Sequence, residues 1–171
     1  DPQKFGALEK EPGMTIACSI ARPESRGTIM AQSSNPKEYP IIRPNYMSAE
    51  NDVRVVVEGV RQARKIFSQP AFQPYSVGET LPGREIQSDD QIAEFARQTG
   101  NTIYHPVGVC KMGPEDDKMA VVDPQLKVRG IQGLRVIDAS VMPAVTTANT
   151  NSTAIMIGEK GSDMLLADAA N

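Results

Sequence analysis

Asn101-Thr-Ile-Tyr-His105-Pro-Val-Gly-Val-Cys-Lys-Met112-Gly holds the single histidine of the chain. Two further stretches complete its context. Leu134-Arg-Val-Ile-Asp138-Ala-Ser-Val-Met-Pro143 reads as a short apolar strand that ends at a carboxylate. Asn149-Thr-Asn151-Ser-Thr153-Ala-Ile-Met-Ile-Gly158-Glu159 reads as a helix that opens on polar residues. An unperturbed imidazole exchanges protons between pH 5 and 8. Pro106 restricts His105 to an extended backbone, which orients the side chain. Such a histidine serves either as a loop-holding hydrogen-bond partner or as a proton acceptor, and residue chemistry alone leaves both open.

Outward from this core the chain alternates short strands with helices. Met14 to Ala21 is β-branched and apolar, stopped by Arg22-Pro23, and is expected to be a strand. Gly27 to Ala31 is expected to be a second strand. Residues 33–47, with prolines at 36, 40 and 44, are expected to be extended loop. Ser48 is expected to cap a helix running to about Ser68, because Val53, Val56, Val57, Val60, Ala63 and Phe67 fall at three-and-four spacing. Ser88-Asp-Asp-Gln91 is a capping box for a shorter helix with Ile92, Phe95 and Ala96 on its apolar face and a stop at Gly100. Leu126–Val128 and Leu134–Ile137 are expected strands, and a final helix is expected from about Asn151 to Leu166. Gly158 and Gly161 in that helix suggest close approach of another backbone or a frayed end.

Length and composition bound the function classes. The chain has 171 residues, 40% of them hydrophobic and 23% charged, enough to bury a core. Its net charge is −3 and its basic residues are dispersed, which argues against nucleic acid as a partner. No apolar run approaches the ~18 residues of a membrane span. Cys18 and Cys110 stand far apart and form no zinc pattern, which favours a reduced compartment; localisation stays open, with the cytoplasm favoured. The first residues, Asp1-Pro-Gln-Lys-Phe-Gly, lack an apolar leader and an initiator Met, and are expected to be a trimmed end.

The chemistry-bearing residues each carry two readings. Asp138 either begins a turn or faces a ligand at a strand's carboxyl end. Asn149, Asn151, Ser152 and Thr153 either cap a helix or present its free N–H groups to an anionic ligand. Cys110, His105 and Asn149 can be arranged on paper as a cysteine hydrolase triad, but Cys110 more simply reads as a small buried hydrophobe.

Taken together, these motifs resemble the C-terminal part of the glucose–methanol–choline (GMC) oxidoreductase family. The resemblance covers about residues 14–167. It runs through Arg22-Pro-Glu-Ser-Arg-Gly-Thr28, Pro44-Asn-Tyr-Met-Ser48, Tyr104 to Gly113, Val122 to Val128, Leu134 to Pro143 and Asn149 to Glu159. Within the family it is most similar to choline-dehydrogenase-like and related alcohol dehydrogenases. The resemblance implies FAD as cofactor and an alcohol as substrate, oxidised to an aldehyde or ketone. It implies that His105 takes the hydroxyl proton and that Asn149 hydrogen-bonds the alcohol oxygen. It implies that Asp138 and Ala139 contact the ribityl and pyrophosphate, that Asn151, Ser152 and Thr153 start the helix beside the flavin ring, and that Tyr104 and Pro106 belong to the cofactor-binding set. A GMC-fold flavoprotein with a lyase-type reaction, or a non-catalytic fragment, are the alternatives.

The implied fold is α/β (α+β). Residues 1–13 are an irregular end. Residues 14–119 form an antiparallel-sheet substrate-binding portion with helices. Residues 120–171 return, as a strand and a helix, to a Rossmann-like FAD-binding domain. The family's G-x-G-x-x-G fingerprint does not occur among the thirteen glycines. A partner segment, the N-terminal fragment of the same enzyme, is therefore expected to carry the Gly-rich FAD motif, this chain being a cleaved, split or truncated piece.

Overall fold

The computed structural model describes residues 12–170. They form a mixed helix-and-sheet structure in the element order β1 (Thr28–Met30), β2 (Ile41–Arg43), α1 (Glu50–Phe67), α2 (Asp89–Thr99) and α3 (Asn151–Ala169), with short 3₁₀ turns at Pro70–Tyr75 and Ala139–Val141. Two compact units emerge. The first takes in residues 12–20, 24–27 and 44–102, and the second residues 21–23, 28–43 and 103–170.

The first unit is a helix pair. Val57 on α1 and Ile92 and Ala93 on α2 are buried against each other, with Val53, Val60 and Ile86 packed around them. The three-and-four apolar spacing on α1 thus delivers Val53, Val57 and Val60 to the core. Val56 and Ala63 instead line a shallow groove with Ile16, Cys18 and Ile66. Ser88 and Gln91 form the expected reciprocal capping box at the start of α2.

The start of α1 differs from expectation. Its N-cap is Ala49, which offers no side-chain acceptor, and Ser48 instead receives the Asn45 amide at 3.1 Å. Asp52, in the first turn, points back to accept the backbone N–H groups of Glu24 and Ser25, each at 2.8 Å. Ser25 Oγ in turn accepts the Ala49 N–H at 3.0 Å. Long-range bonds to the Glu24–Ser25 turn do the work that a local cap would have done. The Asp52 carboxylate is fully buried. Burial opposes its charge, but the Glu24 N–H, the hydroxyl and N–H of Ser25 and the nearby Arg26 charge outweigh that and hold its pKa below the usual carboxylate value.

In the second unit β1 and β2 pair antiparallel in the register Thr28↔Arg43, Ile29↔Ile42, Met30↔Ile41. β2 lies inside the segment expected to be loop. Pro40 and Pro44 bracket it without entering it, which is where a two-stranded ribbon tolerates proline. Met14–Ala21, expected to be a strand, has no strand assignment, and Met14 and Ile16 are exposed. Its β-branched residues favour extension, yet a strand forms only against a ladder partner, and these residues pair with none of the described strands. The strands expected at 126–128 and 134–137 are reduced to the isolated bridges Val122↔Val128 and Lys127↔Arg135. Leu126 has φ +64°, outside the β region, and the connecting turn bends at Gly130 (φ +77°) and Gly133 (φ +74°).

The core of this unit is Val122, Leu126, Val141, Met142 and Ile157. Val107, Met112, Val136, Ile137, Ala139 and Met164 pack around it. One apolar cluster therefore joins the histidine loop, the turn after Ile137 and α3. A Cβ on Gly161 would stand 2.3 Å from Ile137 Cγ2, so that glycine admits a side chain rather than another backbone. A Cβ on Gly158 would meet nothing within 4 Å.

Candidate active site

His105 sits in the second unit on a loop whose backbone is stitched to the Ala139–Val141 turn. Cys110 N–H donates to Ser140 O at 3.0 Å and Met112 N–H to Val141 O at 2.7 Å. Gly108 carries φ +86°, and a Cβ there would lie 3.2 Å from Met142 O. Lys111 and Asp117 form an ion pair at 2.6 Å that closes the next turn. The Lys111 hydrogen bond and the Met119 N–H hold the Asp117 carboxyl below its ordinary range.

The imidazole is half-buried and meets the start of α3 with both ring nitrogens. Asn149 Nδ2 lies 3.1 Å from Nε2, and Thr150 Oγ1 lies 3.2 Å from Nδ1. Asn149 Oδ1 accepts the Asn151 N–H at 3.1 Å. That bond orients the amide: with its oxygen on Asn151, the Asn149 NH₂ must face His105. An N–H aimed at Nε2 requires a lone pair there, so Nε2 is the basic nitrogen of the pair.

The expected site residues divide by position. His105 and Asn149 are brought into contact across 44 residues of sequence. Asn151, Ser152 and Thr153 form the first turn of α3, immediately beyond that contact. Asp138 begins a turn, its carboxylate accepting the Ser140 N–H at 2.7 Å, with Ala139 opening the 3₁₀ segment. Asp138 thus stands on the turn tied to the histidine loop, and its carboxylate is directed at that turn's own backbone. Tyr104, exposed and with φ +61°, and Pro106 flank the histidine. A left-handed backbone at a tyrosine costs energy that the surrounding loop must supply.

Thr150, which sequence reasoning passed over, is the second residue in contact with the imidazole. It is the N-cap of α3 and is buried, yet its side chain makes no capping hydrogen bond. Its hydroxyl goes to the imidazole instead. The cysteine hydrolase arrangement finds no support: both ring nitrogens are engaged by Asn149 and Thr150, and Cys110 is half-buried. Among the described residues no cluster of three His, Cys, Asp or Glu could hold a metal, and no helix is long and apolar enough to cross a membrane.

The first turn of α3 suits an anionic ligand edge. With Thr150 turned away, the N–H groups of Ser152 and Thr153 have no side-chain cap, and Ser152 is exposed. These donors, beside a basic imidazole nitrogen, fit the electron-rich pyrimidine side of a reduced flavin. An imidazole acceptor paired with an amide donor at a helix start defines a site able to take a proton from a bound hydroxyl.

The family model for GMC oxidoreductase matches residues 23–158, and the chain belongs to that family. Among relatives, it is 48% identical over 160 residues to the oxygen-dependent choline dehydrogenase of Brucella ovis, covering 94% of this chain and 29% of that protein. A fungal aryl-alcohol oxidase of known structure matches with a TM-score of 0.80 at 33% identity, over 88% of this chain and 25% of its own. An FAD-dependent oxidoreductase from Chaetomium thermophilum matches with a TM-score of 0.81 at 29% identity, over 88% and 26% respectively. The chain spans less than a third of the length of each.

Proposed function

We propose that this chain supplies the proton-accepting side of an FAD-dependent alcohol oxidoreductase that oxidises a small alcohol to an aldehyde or ketone. The single observation that carries the proposal is the His105–Asn149 contact at 3.1 Å, with the Asn149 amide held by Asn151 so that Nε2 is an acceptor. A relative named for choline and a structural neighbour named for aryl alcohols support a CH–OH donor. The neighbour described as FAD-dependent supports the cofactor.

The residues act as follows. An alcohol oxygen entering between the two side chains replaces their direct bond with two. The Asn149 N–H donates to the alcohol oxygen, and the alcohol O–H donates to His105 Nε2. His105 then takes that proton as the carbon–oxygen double bond forms, and a positioned base of this kind contributes about 10²–10⁴-fold. Bound FAD would supply the two-electron hydride acceptor for the alcohol carbon. Asn151, Ser152 and Thr153 would hold its ring edge with α3 N–H groups. Asp138, Ala139, Tyr104 and Pro106 complete the cofactor-binding set.

In the whole enzyme residues 14–119 belong to the substrate-binding part. Residues 120–171 belong to a Rossmann-like FAD-binding domain that another segment, bearing the Gly-rich fingerprint, largely builds. The reading is tested by assembling this chain with that segment, as a single polypeptide or as two, in the presence of FAD. The expected product is yellow, and its flavin absorbance bleaches anaerobically on addition of a primary alcohol. A colourless assembly, or bound flavin that no alcohol bleaches, contradicts the proposal.

A further inference from the structure

We propose that Thr150 is a positioning residue: its hydroxyl accepts the Nδ1 proton of the tautomer that Asn149 selects and so holds the His105 ring with its Nε2 lone pair toward the substrate. The inference rests on His105 being the proton acceptor described above and adds the group that holds its ring.

A neutral imidazole has one donor and one acceptor nitrogen, and which is which follows from the partner of the other. The hydrogen bonds around His105 close in only one sense. The Asn151 N–H donates to Asn149 Oδ1 at 3.1 Å. The Asn149 NH₂ therefore faces His105 Nε2, 3.1 Å away, and one of its N–H groups needs an acceptor there. Nδ1 must then carry the proton and donate it to Thr150 Oγ1 at 3.2 Å. The opposite tautomer sets N–H against N–H at Nε2, and escape by an amide flip sacrifices the bond to Asn151. A hydroxyl can act in either direction, but here it is constrained to accept.

Thr150 is suited to this task by its surroundings. It is buried, and its β-branched side chain has few rotamers. It ends the stretch that leads into α3, a helix anchored in the core through Ile157. An N-cap threonine ordinarily turns its hydroxyl to the helix N–H groups, and replacing such a cap costs about 1 kcal/mol of stability. This one makes no such bond, so its hydroxyl is available to the imidazole. When Nε2 gains the alcohol proton, both ring nitrogens become donors, and Thr150 Oγ1 continues to accept from Nδ1. The same bond therefore serves the resting and the protonated ring.

The test uses the assembled flavoenzyme, labelled with ¹⁵N at histidine, with the His105 signals assigned by their loss in His105→Gln. The wild-type ring is expected to show a protonated Nδ1 and an unprotonated Nε2. Thr150→Val, which keeps the shape and removes the hydroxyl, is expected to keep the tautomer that Asn149 selects but to lose the downfield shift of the Nδ1–H proton, whose hydrogen bond is gone. It is also expected to slow flavin reduction by alcohol about tenfold, the scale of one lost hydrogen bond, with KM little changed. Thr150→Ser is expected to restore both readouts. A wild-type ring protonated at Nε2 overturns the inference without any variant. So does a Thr150→Val enzyme that keeps the wild-type Nδ1–H proton shift or the wild-type reduction rate. If the flavin of His105→Gln is reduced at the parent rate, it is the proton-acceptor reading that fails, and the Nδ1–H proton shift still reports on Thr150 separately.

Discussion

At the residue scale, one short run of polar side chains does several jobs through fixed hydrogen-bond directions. Asn149 uses its oxygen on the helix it precedes and its nitrogen on the imidazole. Asn149→Leu, of similar volume, removes both. Flavin is expected to remain bound while its reduction by alcohol slows about ten- to a hundredfold, since the alcohol oxygen loses its donor. Stopped-flow measurement of anaerobic reduction reads this directly, and an unaltered rate would remove Asn149 from the alcohol. The pairing of His105 with Asn149 was legible from the family motifs, because both lie in stretches that the resemblance covers. Thr150 was not legible. A hydroxyl before a helix has the same sequence signature whether it caps the helix or faces a side chain 45 residues away, and only the fold distinguishes the two.

At the element scale, α3 carries two glycines with opposite environments. Gly161→Ala drives a methyl into Ile137, and overpacking of this kind costs about 1–3 kcal/mol, less the ~1 kcal/mol that alanine gains in a helix. Gly158→Ala meets no atom within 4 Å in the chain, so the propensity gain of ~1 kcal/mol stands alone. The pair should shift the thermal unfolding midpoint in opposite directions. Equal shifts of the same sign would show that neither space nor packing is as described. Helices were the readable elements. The Ser88–Gln91 box is a local hydrogen-bond exchange written in four consecutive residues, and the face of α1 repeats at helical spacing. Strands were less readable, because pairing is non-local. Ile41–Arg43 finds a partner despite its flanking prolines, whereas Met14–Ala21 has the right composition and no partner strand among the described residues. The left-handed Leu126 leaves no mark in composition at all.

At the scale of the whole molecule, each unit is held by its own device. In the first, Asp52 ties α1 to the Glu24–Ser25 turn from a fully buried position. Asp52→Ala would leave those two backbone N–H groups without their acceptor and is expected to cost about 2 kcal/mol or more in chemical denaturation. The pH dependence has a definite sign. The folded pKa of Asp52 is depressed, so its stabilisation is fully present above the unfolded value of ~3.9 and is lost as pH falls toward the folded value. Asp52→Asn should flatten that acid limb, and an unchanged limb would show that Asp52 does not titrate with unfolding. In the second unit, Asp168 at the end of α3 accepts from Arg135 at 2.7 Å and Lys127 at 2.8 Å, and these two bonds hold its carboxyl below the ordinary range. With the core cluster, this closes the helix onto the turns that adjoin the histidine loop.

The central claim is that His105 takes the alcohol proton. It is tested most directly by anaerobic stopped-flow reduction of the assembled flavoenzyme by a primary alcohol, comparing the parent with His105→Ala. The account predicts that the variant keeps its flavin and is reduced about 10²–10⁴-fold more slowly, with partial recovery when free imidazole is added. A variant that binds flavin and is reduced as fast as the parent would contradict it.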